Sequence, residues 1–419
     1  MNHHKAIGII GGGAAGFFAA VNLIERFSSI RRGPQIRIEI IEKTETPLRK
    51  VAISGGGRCN LTHACFDPRH LVAFYPRGGK ALLGPFSRFG PRETIEWFER
   101  HGVRLKTYPD NTIFPETNSS QTVIDCLLNG VNSPICRIKT ETTLHSLRVS
   151  EQDEKRFILT EKNGTVNNYD QILLTTGSSR RPFRWLSALG HTIVPPVPSL
   201  FTFVIDDPGL CELAGIVVES ITLRLQGRKS TTTGELLITH NGLSGPATLR
   251  LSSLEARHLA DCDYRSVVEI NWCGGSNSEE IRDSLESLKA ANPGKKISAI
   301  PLLSLPARVW RYLIIRSGID ADTPWGEISR RKLLSLTENL CRLPCTVTGR
   351  NVHKQEFVTA GGVSLDEVNF RTMESRMVPG LFFAGEILDI DGFTGGFNFQ
   401  NAWTTAWIAA QSMMDHAGD

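Results

Sequence analysis

The sequence predicts an α/β fold in which a layer of parallel strands, covered by helices, is interrupted by an inserted module. Three observations predict it. A glycine-rich turn joins an apolar strand to a helix at the start of the chain, two later apolar strands end at Thr176–Gly177 and Gly385–Glu386, and short alternating runs separate them. Buried parallel strands have continuous apolar runs, whereas half-buried antiparallel strands alternate, so the middle of the chain is predicted to be a separate module.

Composition is that of an ordinary globular protein, but the basic residues are unevenly placed. The chain has 419 residues, 40% of them hydrophobic and 21% charged, with a net charge of +4. Arg69–Lys106 holds eight Lys and Arg against three Glu, and Arg308–Lys354 holds nine against four acids. A third cluster is Arg180, Arg181 and Arg184. Such stretches are either solvated helix faces or a surface for a polyanion, and both interpretations stay open here.

Cysteine usage and hydropathy favour a cytoplasmic protein with reduced thiols. The nine cysteines show no CxxC pair and no His/Cys spacing typical of zinc, so neither a disulfide framework nor a metal is expected. Residues Ala6–Ile24 carry no charge, which is typical of a membrane span. Five glycines in that stretch argue against a continuous helix.

The first 45 residues have the context of a dinucleotide-binding turn. The strand Lys5–Ile10 is followed by Gly11-x-Gly13-x-x-Gly16 and a helix, and the next strand ends near Glu42. In this motif the first glycine permits a tight turn, the second lets a pyrophosphate approach the backbone, and the third allows close helix packing. An acid at the end of the second strand accepts hydrogen bonds from the ribose. The loop "SSIRRGPQ" accounts for the long interval before Glu42.

The predicted module begins at a proline-rich crossing, Thr192–Leu200, where regular structure is disfavoured. We predict a nucleotide-binding domain in two parts, residues 1–195 and 355–419, around an inserted domain at residues 196–354. Within the insertion, residues 196–275 are predicted to be β-rich because short runs alternate. Residues 276–354 are predicted to be mainly helical.

Several motifs together resemble one bacterial flavoprotein family. After the glycine turn come, in order, "SGGGRCNLTH", "THNGLSGP", "TAGGVSLDEV" and "MESRMVPGLFFAGEILDIDGFTGGFNFQNAW". This set is similar to the family labelled NAD(P)/FAD-dependent oxidoreductase or aminoacetone oxidase family FAD-binding enzyme. That family belongs to the two-dinucleotide-binding-domain flavoproteins of the glutathione reductase type. The motifs span residues 7 to 403, and His63 is a departure, since the family pattern has Asn after "CNLT".

The resemblance implies a bound FAD. In the superfamily, the acid after the last strand contacts the flavin ribityl chain, the Thr-Gly turn passes close to the cofactor, and the last helix points its N-terminus at the pyrimidine edge. The residues that this implies as cofactor-binding are Gly11, Gly13, Ala14, Ala15, Gly16, Glu42, Lys43, Arg49, Gly56, Gly57, Arg58, Asn60, Leu144, Thr176, Gly177, Gly385, Glu386, Gly395, Gly396, Phe397, Asn398 and Gln400.

Cys59 lies in the implied flavin-facing loop and is our candidate catalytic residue. Three interpretations stay open. The thiol packs in the loop, it delivers a proton beside the flavin, or it is half of a redox disulfide. The third is disfavoured because the nearest cysteine, Cys65, is six residues on and the glycines disfavour a regular helix before Cys59.

The resemblance implies an FAD-dependent oxidoreductase that reduces a carbon–carbon double bond. Family members are linked to steroid-type small molecules and to uracil in ribosomal RNA, where the product is dihydrouridine. The basic stretches favour the RNA substrate. Alternatives are a reductase or oxidase of a small molecule, such as an unsaturated steroid or an amino ketone, and a non-enzymatic flavoprotein that binds RNA or a partner. Since the sequence shows no second GxGxxG, NADH or NADPH is expected to bind only transiently as reductant.

Overall fold

A computed structural model describes residues 5–28, 36–150, 157–351 and 358–415. The loop "SSIRRGPQ" after its first serine, and the predicted return to the first domain at residues 354–355, lie outside these described residues. The chain divides into two compact units. We call Met1–Val197 with Val358–Asp419 the sheet unit, and Pro198–Phe357 the barrel unit.

The described secondary structure consists of these strands and helices. The strands are β1 Lys5–Ile10, β2 Ile36–Ile41, β3 Thr62–His63, β4 Leu105–Thr107, β5 Thr112–Pro115, β6 Cys136–Lys139, β7 Leu144–Val149, β8 Phe157–Glu161, β9 Val166–Tyr169, β10 Gln171–Leu174, β11 Ile193–Ser199, β12 Phe203–Ile205, β13 Val217–Leu225, β14 Thr231–Thr239, β15 Gly242–Ser244, β16 Ser266–Asn271, β17 Leu343–Arg350, β18 Val358–Val363, β19 Val368–Asn369, β20 Glu374–Ser375 and β21 Leu381–Phe383. The helices are α1 Ala14–Ser28, α2 Arg49–Gly57, α3 Pro68–Leu71, α4 Gly79–Arg88, α5 Pro91–Arg100, α6 Ser120–Gly130, α7 Arg180–Ala188, α8 Pro208–Cys211, α9 Pro246–Leu254, α10 Ala256–Asp261, α11 Ser278–Ala291, α12 Ala307–Arg316, α13 Arg330–Arg342 and α14 Phe397–Asp415.

The sheet unit is built on a seven-stranded sheet in the order β19-β20-β21-β10-β1-β2-β6. The strands from β21 to β6 run parallel. The central residues of β21, β10 and β1 are buried, whereas the edge strand β6 exposes Arg137 and Ile138. Both faces of a parallel sheet must be covered, which is why the central strands are largely apolar. Helices α1 and α14 pack against each other, and the antiparallel sheet β7-β8-β9 brings the Tyr169 ring close to Gly8 of β1. This architecture confirms the predicted fold class.

The barrel unit holds a closed barrel in the order β12-β15-β14-β13-β16-β17. Helices α11, α12 and α13 follow β16 in the chain and carry buried residues of the same core. The division into a β-rich part and a mainly helical part stays a prediction, and each part also contains elements of the other kind. Strand β17 lies in the part predicted to be helical, where it pairs with both β16 and β12, and α9 and α10 lie in the part predicted to be β-rich. Alternating burial of Leu343, Cys345 and Val347 is the period-2 signal of that strand.

Two features are absent from the described residues. Within them, no helix combines the length and the apolar character that crossing a membrane would require. The same part of the chain contains no group of three or more His, Cys, Asp or Glu arranged to hold a metal ion.

Candidate active site

The first glycine turn connects β1 to α1 and is shaped by close backbone packing. Gly11 has a φ of +115°, and a Cβ at this position would lie 2.5 Å from the carbonyl oxygen of Thr175. A Cβ on Gly16 would lie 2.1 Å from the carbonyl oxygen of Gly11. Gly13 differs, because a Cβ there would meet nothing within 4 Å. The turn is therefore tight towards the protein at two glycines and open at the third, just before the first residues of α1, Ala14 and Ala15.

The Glu42 carboxylate lies beside this turn, directly after β2. Its Oε2 accepts a hydrogen bond of 2.8 Å from the backbone N–H of Gly12. Its Oε1 accepts bonds from the backbone N–H of Thr44 at 2.9 Å and from the Thr44 hydroxyl at 2.8 Å. These bonds fix the side chain at the N-terminal end of α1, where a helix presents unpaired N–H groups to an anion.

The ends of β10 and β21 bring Thr176–Gly177 and Gly385–Glu386 together, because these two strands are parallel neighbours. A Cβ on Gly177 would lie 3.3 Å from Oε2 of Glu386. The Thr176 hydroxyl is buried and has no hydrogen-bond partner among the described residues. A buried polar atom without a partner is costly, so this hydroxyl indicates a ligand group at the same place.

Lys50 is a member of this site that the sequence did not reveal. Its Nζ donates to Oε2 of Glu386 at 2.6 Å, while Oε1 of Glu386 accepts from the backbone N–H of Thr359 at 3.1 Å. The neighbouring Arg49, which was predicted to bind the cofactor, is exposed. Lys50 and Glu386 are 336 positions apart in the chain, which explains why no local pattern indicated the pair.

The second glycine turn lies at the end of α2, which is interrupted at Ser54–Gly56. The φ angles of Gly55, Gly56 and Gly57 are +55°, +67° and +84°. A Cβ on Gly56 would meet nothing within 4 Å, and a Cβ on Gly57 would meet only the carbonyl oxygen of Ala52 at 3.9 Å. Backbone conformation requires these glycines. The space beside Gly56 and Gly57 is open, whereas a Cβ on Gly55 would lie 3.1 Å from the backbone nitrogen of Asn60 and 3.1 Å from the Phe114 ring.

Cys59 ends this turn with a φ of 60° and a side chain that is 0% exposed. Its backbone N–H donates to the carbonyl oxygen of Ser54 at 3.0 Å. Burial raises the pKa of the Cys59 thiol to about 12, with a smaller opposing contribution from the Ser54 hydrogen bond. The thiol is therefore protonated at neutral pH, and it is not in a disulfide. These facts favour packing over a thiolate nucleophile, and a role as proton donor stays a prediction.

The third glycine-rich loop precedes α14. Gly395 and Gly396 have φ angles of +125° and +90°, and a Cβ on Gly396 would lie 2.6 Å from the Thr62 carbonyl. The Asn60 amide, in the orientation that satisfies both of its atoms, donates to the Thr62 carbonyl oxygen at 3.1 Å and accepts from the Gly396 N–H at 3.3 Å. Asn60 thus ties the second turn to the loop that leads into Phe397, the first residue of α14.

Two polar residues predicted to contact the cofactor hold this loop from within the protein. Asn398 accepts from the Gly392 N–H at 2.9 Å and donates to the Gly392 carbonyl oxygen at 2.8 Å. Gln400 is fully buried. Its amide accepts from the Thr62 hydroxyl and donates to the hydroxyls of Thr94 at 2.9 Å and Thr404 at 3.0 Å. Both side chains position the start of α14, and direct contact with a cofactor stays a prediction.

A buried ion pair, Arg77–Asp391, anchors the same loop and was missed in the sequence. The guanidinium donates through Nε and Nη2 to the two oxygens of Asp391. The Arg77 side chain is 12% exposed and that of Asp391 is 0% exposed. Arg77 was counted in the first basic stretch, but its guanidinium is paired with Asp391 inside the protein and does not add to the surface charge. Such forked pairs fix geometry as well as charge.

An aromatic stack covers the start of α14. The rings of Phe74 and Phe397 are stacked with centroids 4.4 Å apart, and the His63 ring stacks on Phe397 at 4.7 Å. Burial lowers the pKa of His63, and the nearby Asp110 opposes this. His63 therefore lies next to the predicted flavin end of the site, at the position where the sequence departs from the family pattern.

The remaining predicted residues are Lys43, Arg58 and Leu144. Lys43 and Arg58 are exposed, and the Arg58 guanidinium lies 4.5 Å from the centroid of the Phe114 ring. Leu144 is buried at the start of β7, and its carbonyl oxygen accepts from Arg181 at 2.9 Å.

The three turns together fit an extended dinucleotide. The space is open at Gly13 and Gly56, the Thr176 hydroxyl is buried without a partner, and the helices α1 and α14 begin at the first and third turns. A pyrophosphate needs such a helix N-terminus and a glycine without a side chain, and a flavin needs polar groups at its edge.

Comparison with known proteins decides the family. Residues 5–412 match the family described as HI0933-like protein Rossmann domain. The chain belongs to this family. The resemblance seen in the sequence is thereby confirmed, and together with full-length relatives that are named as a dihydrouridine synthase and a reductase it shows that the chain is an FAD-dependent oxidoreductase. The non-enzymatic alternative is set aside.

Relatives of this HI0933-like protein differ in their substrates. The ribosomal RNA dihydrouridine synthase of Escherichia coli K12 is 29% identical, and the alignment covers 99% of both chains. The 3-dehydro-bile acid delta(4,6)-reductase of Clostridium scindens is 27% identical over 97% of this chain and 98% of that protein. A solved 3-ketosteroid-delta4-(5alpha)-dehydrogenase from Rhodococcus jostii RHA1 has a TM-score of 0.50 at 13% identity, and the alignment covers 97% of both chains, which shows the shared fold.

Proposed function

We propose that this enzyme reduces the carbon–carbon double bond of a uracil in ribosomal RNA and so makes dihydrouridine. The observation that carries the proposal is the full-length similarity to the E. coli ribosomal RNA dihydrouridine synthase. Exposed basic residues support it, because cations on the surface attract the RNA backbone. Arg69, Lys80, Arg92 and Arg180 are among the exposed residues of the basic stretches.

The cofactor would be held by groups at all three turns. The N-terminus of α1 beside Gly13 would bind the pyrophosphate, and Glu42 would accept hydrogen bonds from the adenosine ribose. Thr176, Lys50 and Glu386 would bind the middle of the cofactor. The N-terminus of α14 would stabilise negative charge at the far end.

Reduction of uracil adds a hydride to one ring carbon and a proton to its neighbour. When bound, FAD supplies the hydride, and we propose NADH or NADPH as the source of its electrons. The protein must supply the proton. We propose that the Cys59 thiol does so: it carries its proton at neutral pH, and because the side chain is 0% exposed, the second turn must open on substrate binding to bring the sulfur next to the ring carbon.

Deletion of the gene tests the substrate. Ribosomal RNA from the deletion strain should lack one dihydrouridine that mass spectrometry finds in the parent, and a plasmid copy of the gene should restore it. A Cys59→Ser copy should restore it poorly while keeping its FAD, whereas a Cys65→Ser copy, altered at the partly exposed neighbouring cysteine, should restore it fully. Unchanged dihydrouridine in the deletion strain would show that ribosomal RNA is not the substrate.

A second candidate function is reduction of a small unsaturated ketone. The C. scindens bile acid reductase favours it, because that relative is nearly as similar over nearly the whole chain. In that case the reduced flavin of the purified enzyme would be reoxidised rapidly by an unsaturated steroid ketone and would not respond to ribosomal RNA.

A further inference from the structure

An exposed aromatic ring with a cation stacked on it lies on the surface of the sheet unit. Phe66 is 45% exposed, and it is the only aromatic residue among the large hydrophobic side chains that are exposed in the described part of the chain. The guanidinium of Arg92 lies 5.0 Å from the centroid of the Phe66 ring. The phenyl ring and the guanidinium thus present two flat groups together at the surface, where a planar partner can stack on them.

Both members of this pair are mounted on elements that hold the start of α14. Phe66 follows β3 by three residues, and His63 of β3 stacks on Phe397. Three residues span about 10 Å at most. Arg92 is the second residue of α5, two residues before Thr94, whose hydroxyl accepts a hydrogen bond from Gln400 of α14. Both residues therefore lie within three residues, along the chain, of side chains that hold the start of α14.

The charges around this pair are mixed. Arg69 is exposed next to Phe66 in the chain, and Arg92 is exposed as well. The nearby acids are Asp67, whose carboxylate accepts from the Arg69 backbone N–H at 2.9 Å, and Glu93 and Glu96 of α5. Glu93 accepts from the Gly90 N–H at 2.8 Å, and Glu96 is exposed. The flat ring and the flat guanidinium match a nucleobase, and Arg69 matches its phosphate.

We propose that Phe66 and Arg92 form a stacking platform for an RNA base next to the uracil that is reduced. The proposal rests on the proposed function. A uracil inside a base-paired stack must be turned out of it to meet a flavin, and its neighbours then lose their stacking partner. Aromatic rings and guanidinium planes replace that partner in proteins that bind single-stranded RNA, with little preference for the base.

The test uses the FAD-loaded protein and its Phe66→Ala, Phe66→Trp and Arg92→Ala variants. The control is Val166→Ala, which shortens an exposed apolar side chain on β9 of the same unit. Binding of a fluorescent single-stranded uridine-rich oligonucleotide should weaken about tenfold in Phe66→Ala and in Arg92→Ala. It should be equal to wild type in Phe66→Trp and Val166→Ala. All four variants should keep the FAD content and melting temperature of the wild type.

With ribosomal RNA as substrate, the KM of Phe66→Ala should rise by about the same factor as its dissociation constant for the oligonucleotide, while kcat stays the same. The platform is overturned if Phe66→Ala binds the oligonucleotide as tightly as the wild type does. It is also overturned if the wild type does not bind the oligonucleotide. If the wild type binds RNA through Phe66 but reduces no uridine, the platform stands and the proposed reaction is wrong. The two failures are therefore distinct.

Discussion

The first and second glycine turns look alike in sequence but differ in what requires their glycines. At Gly11 and Gly16 the protein itself fills the space, since an added Cβ would meet backbone atoms at 2.5 Å and 2.1 Å. At Gly56 and Gly57 an added Cβ would meet almost nothing. The first pair is explained by packing of the fold. The second pair is explained only by backbone conformation and by open space.

This difference separates residues that build the site from residues that face its ligand. A glycine pressed against its own protein is needed for folding, whether or not a cofactor binds. A glycine beside open space is where a cofactor can approach the backbone. Within the first turn, Gly13 resembles the glycines of the second turn, because it faces open space between the two packed glycines Gly11 and Gly16. Substitutions at these positions should therefore separate loss of fold from loss of FAD.

The largest effect is expected for Gly16→Ala. The new methyl group would lie 2.1 Å from the Gly11 carbonyl oxygen, and backbone on both sides would have to move. Overpacking of this kind costs about 3 kcal/mol. Urea denaturation of the apoprotein should show this loss in the free energy of unfolding. If Gly16→Ala has the free energy of unfolding of the wild type, the fold does not require a glycine at this position.

Gly13→Ala is the matched change and should leave folding intact. Its Cβ would meet nothing within 4 Å, so the free energy of unfolding should stay within about 0.5 kcal/mol of wild type. The methyl group would occupy the space where the pyrophosphate approaches α1. We expect most of the FAD to be lost during purification, which the flavin absorbance measures. Full FAD content in this variant would contradict the placement of the pyrophosphate.

Gly56→Ala tests the second turn and should have a smaller effect on folding. Alanine at a φ of +67° costs about 1–2 kcal/mol, whereas asparagine tolerates this conformation better. Gly56→Asn should therefore recover most of the stability and still weaken FAD binding, because its side chain also projects into the open space. If Gly56→Asn binds FAD like wild type, the open side of this turn does not face the cofactor.

The smallest effect concerns Cys59 and pH. Its thiol has a pKa of about 12 in the folded protein against an ordinary value of 9.0, so its contribution to stability is complete below pH 9 and is lost as the pH rises towards 12. At pH 8 iodoacetamide should label Cys65 much faster than Cys59, as peptide mass spectrometry can measure, because Cys59 has about a thousandfold less thiolate than an ordinary cysteine. Equal labelling would show that the second turn opens readily.

The sequence predicted those parts of the site that depend on local patterns. The strand, glycine turn and helix around Gly11–Gly16 have fixed spacing, and the apolar runs before Thr176 and Gly385 indicate buried strands. Pairs that join distant segments were not predicted. Lys50 and Glu386 are 336 residues apart, and Arg77 and Asp391 are 314 apart, so only the fold brings them together.

Polarity alone does not show which partner a side chain of the last helix has. The resemblance implied Gln400 as cofactor-binding, and its amide bonds to Thr62, Thr94 and Thr404 inside the protein, so a direct contact with the cofactor stays a prediction. A polar residue in a motif has either a ligand or a protein partner, and sequence does not distinguish them. The same holds for Arg77, which was counted with the surface cations and lies buried against Asp391.

One measurement tests the central claim, that this flavoprotein reduces a uracil of ribosomal RNA, most directly. The purified, FAD-loaded enzyme is incubated without oxygen with NADPH or NADH and with ribosomal RNA from a strain lacking the gene, and the RNA is mapped by mass spectrometry. We predict that one uridine gains two hydrogen atoms with the wild type, and that none does with Gly13→Ala. RNA that stays unchanged while an unsaturated steroid ketone reoxidises the flavin would contradict the account.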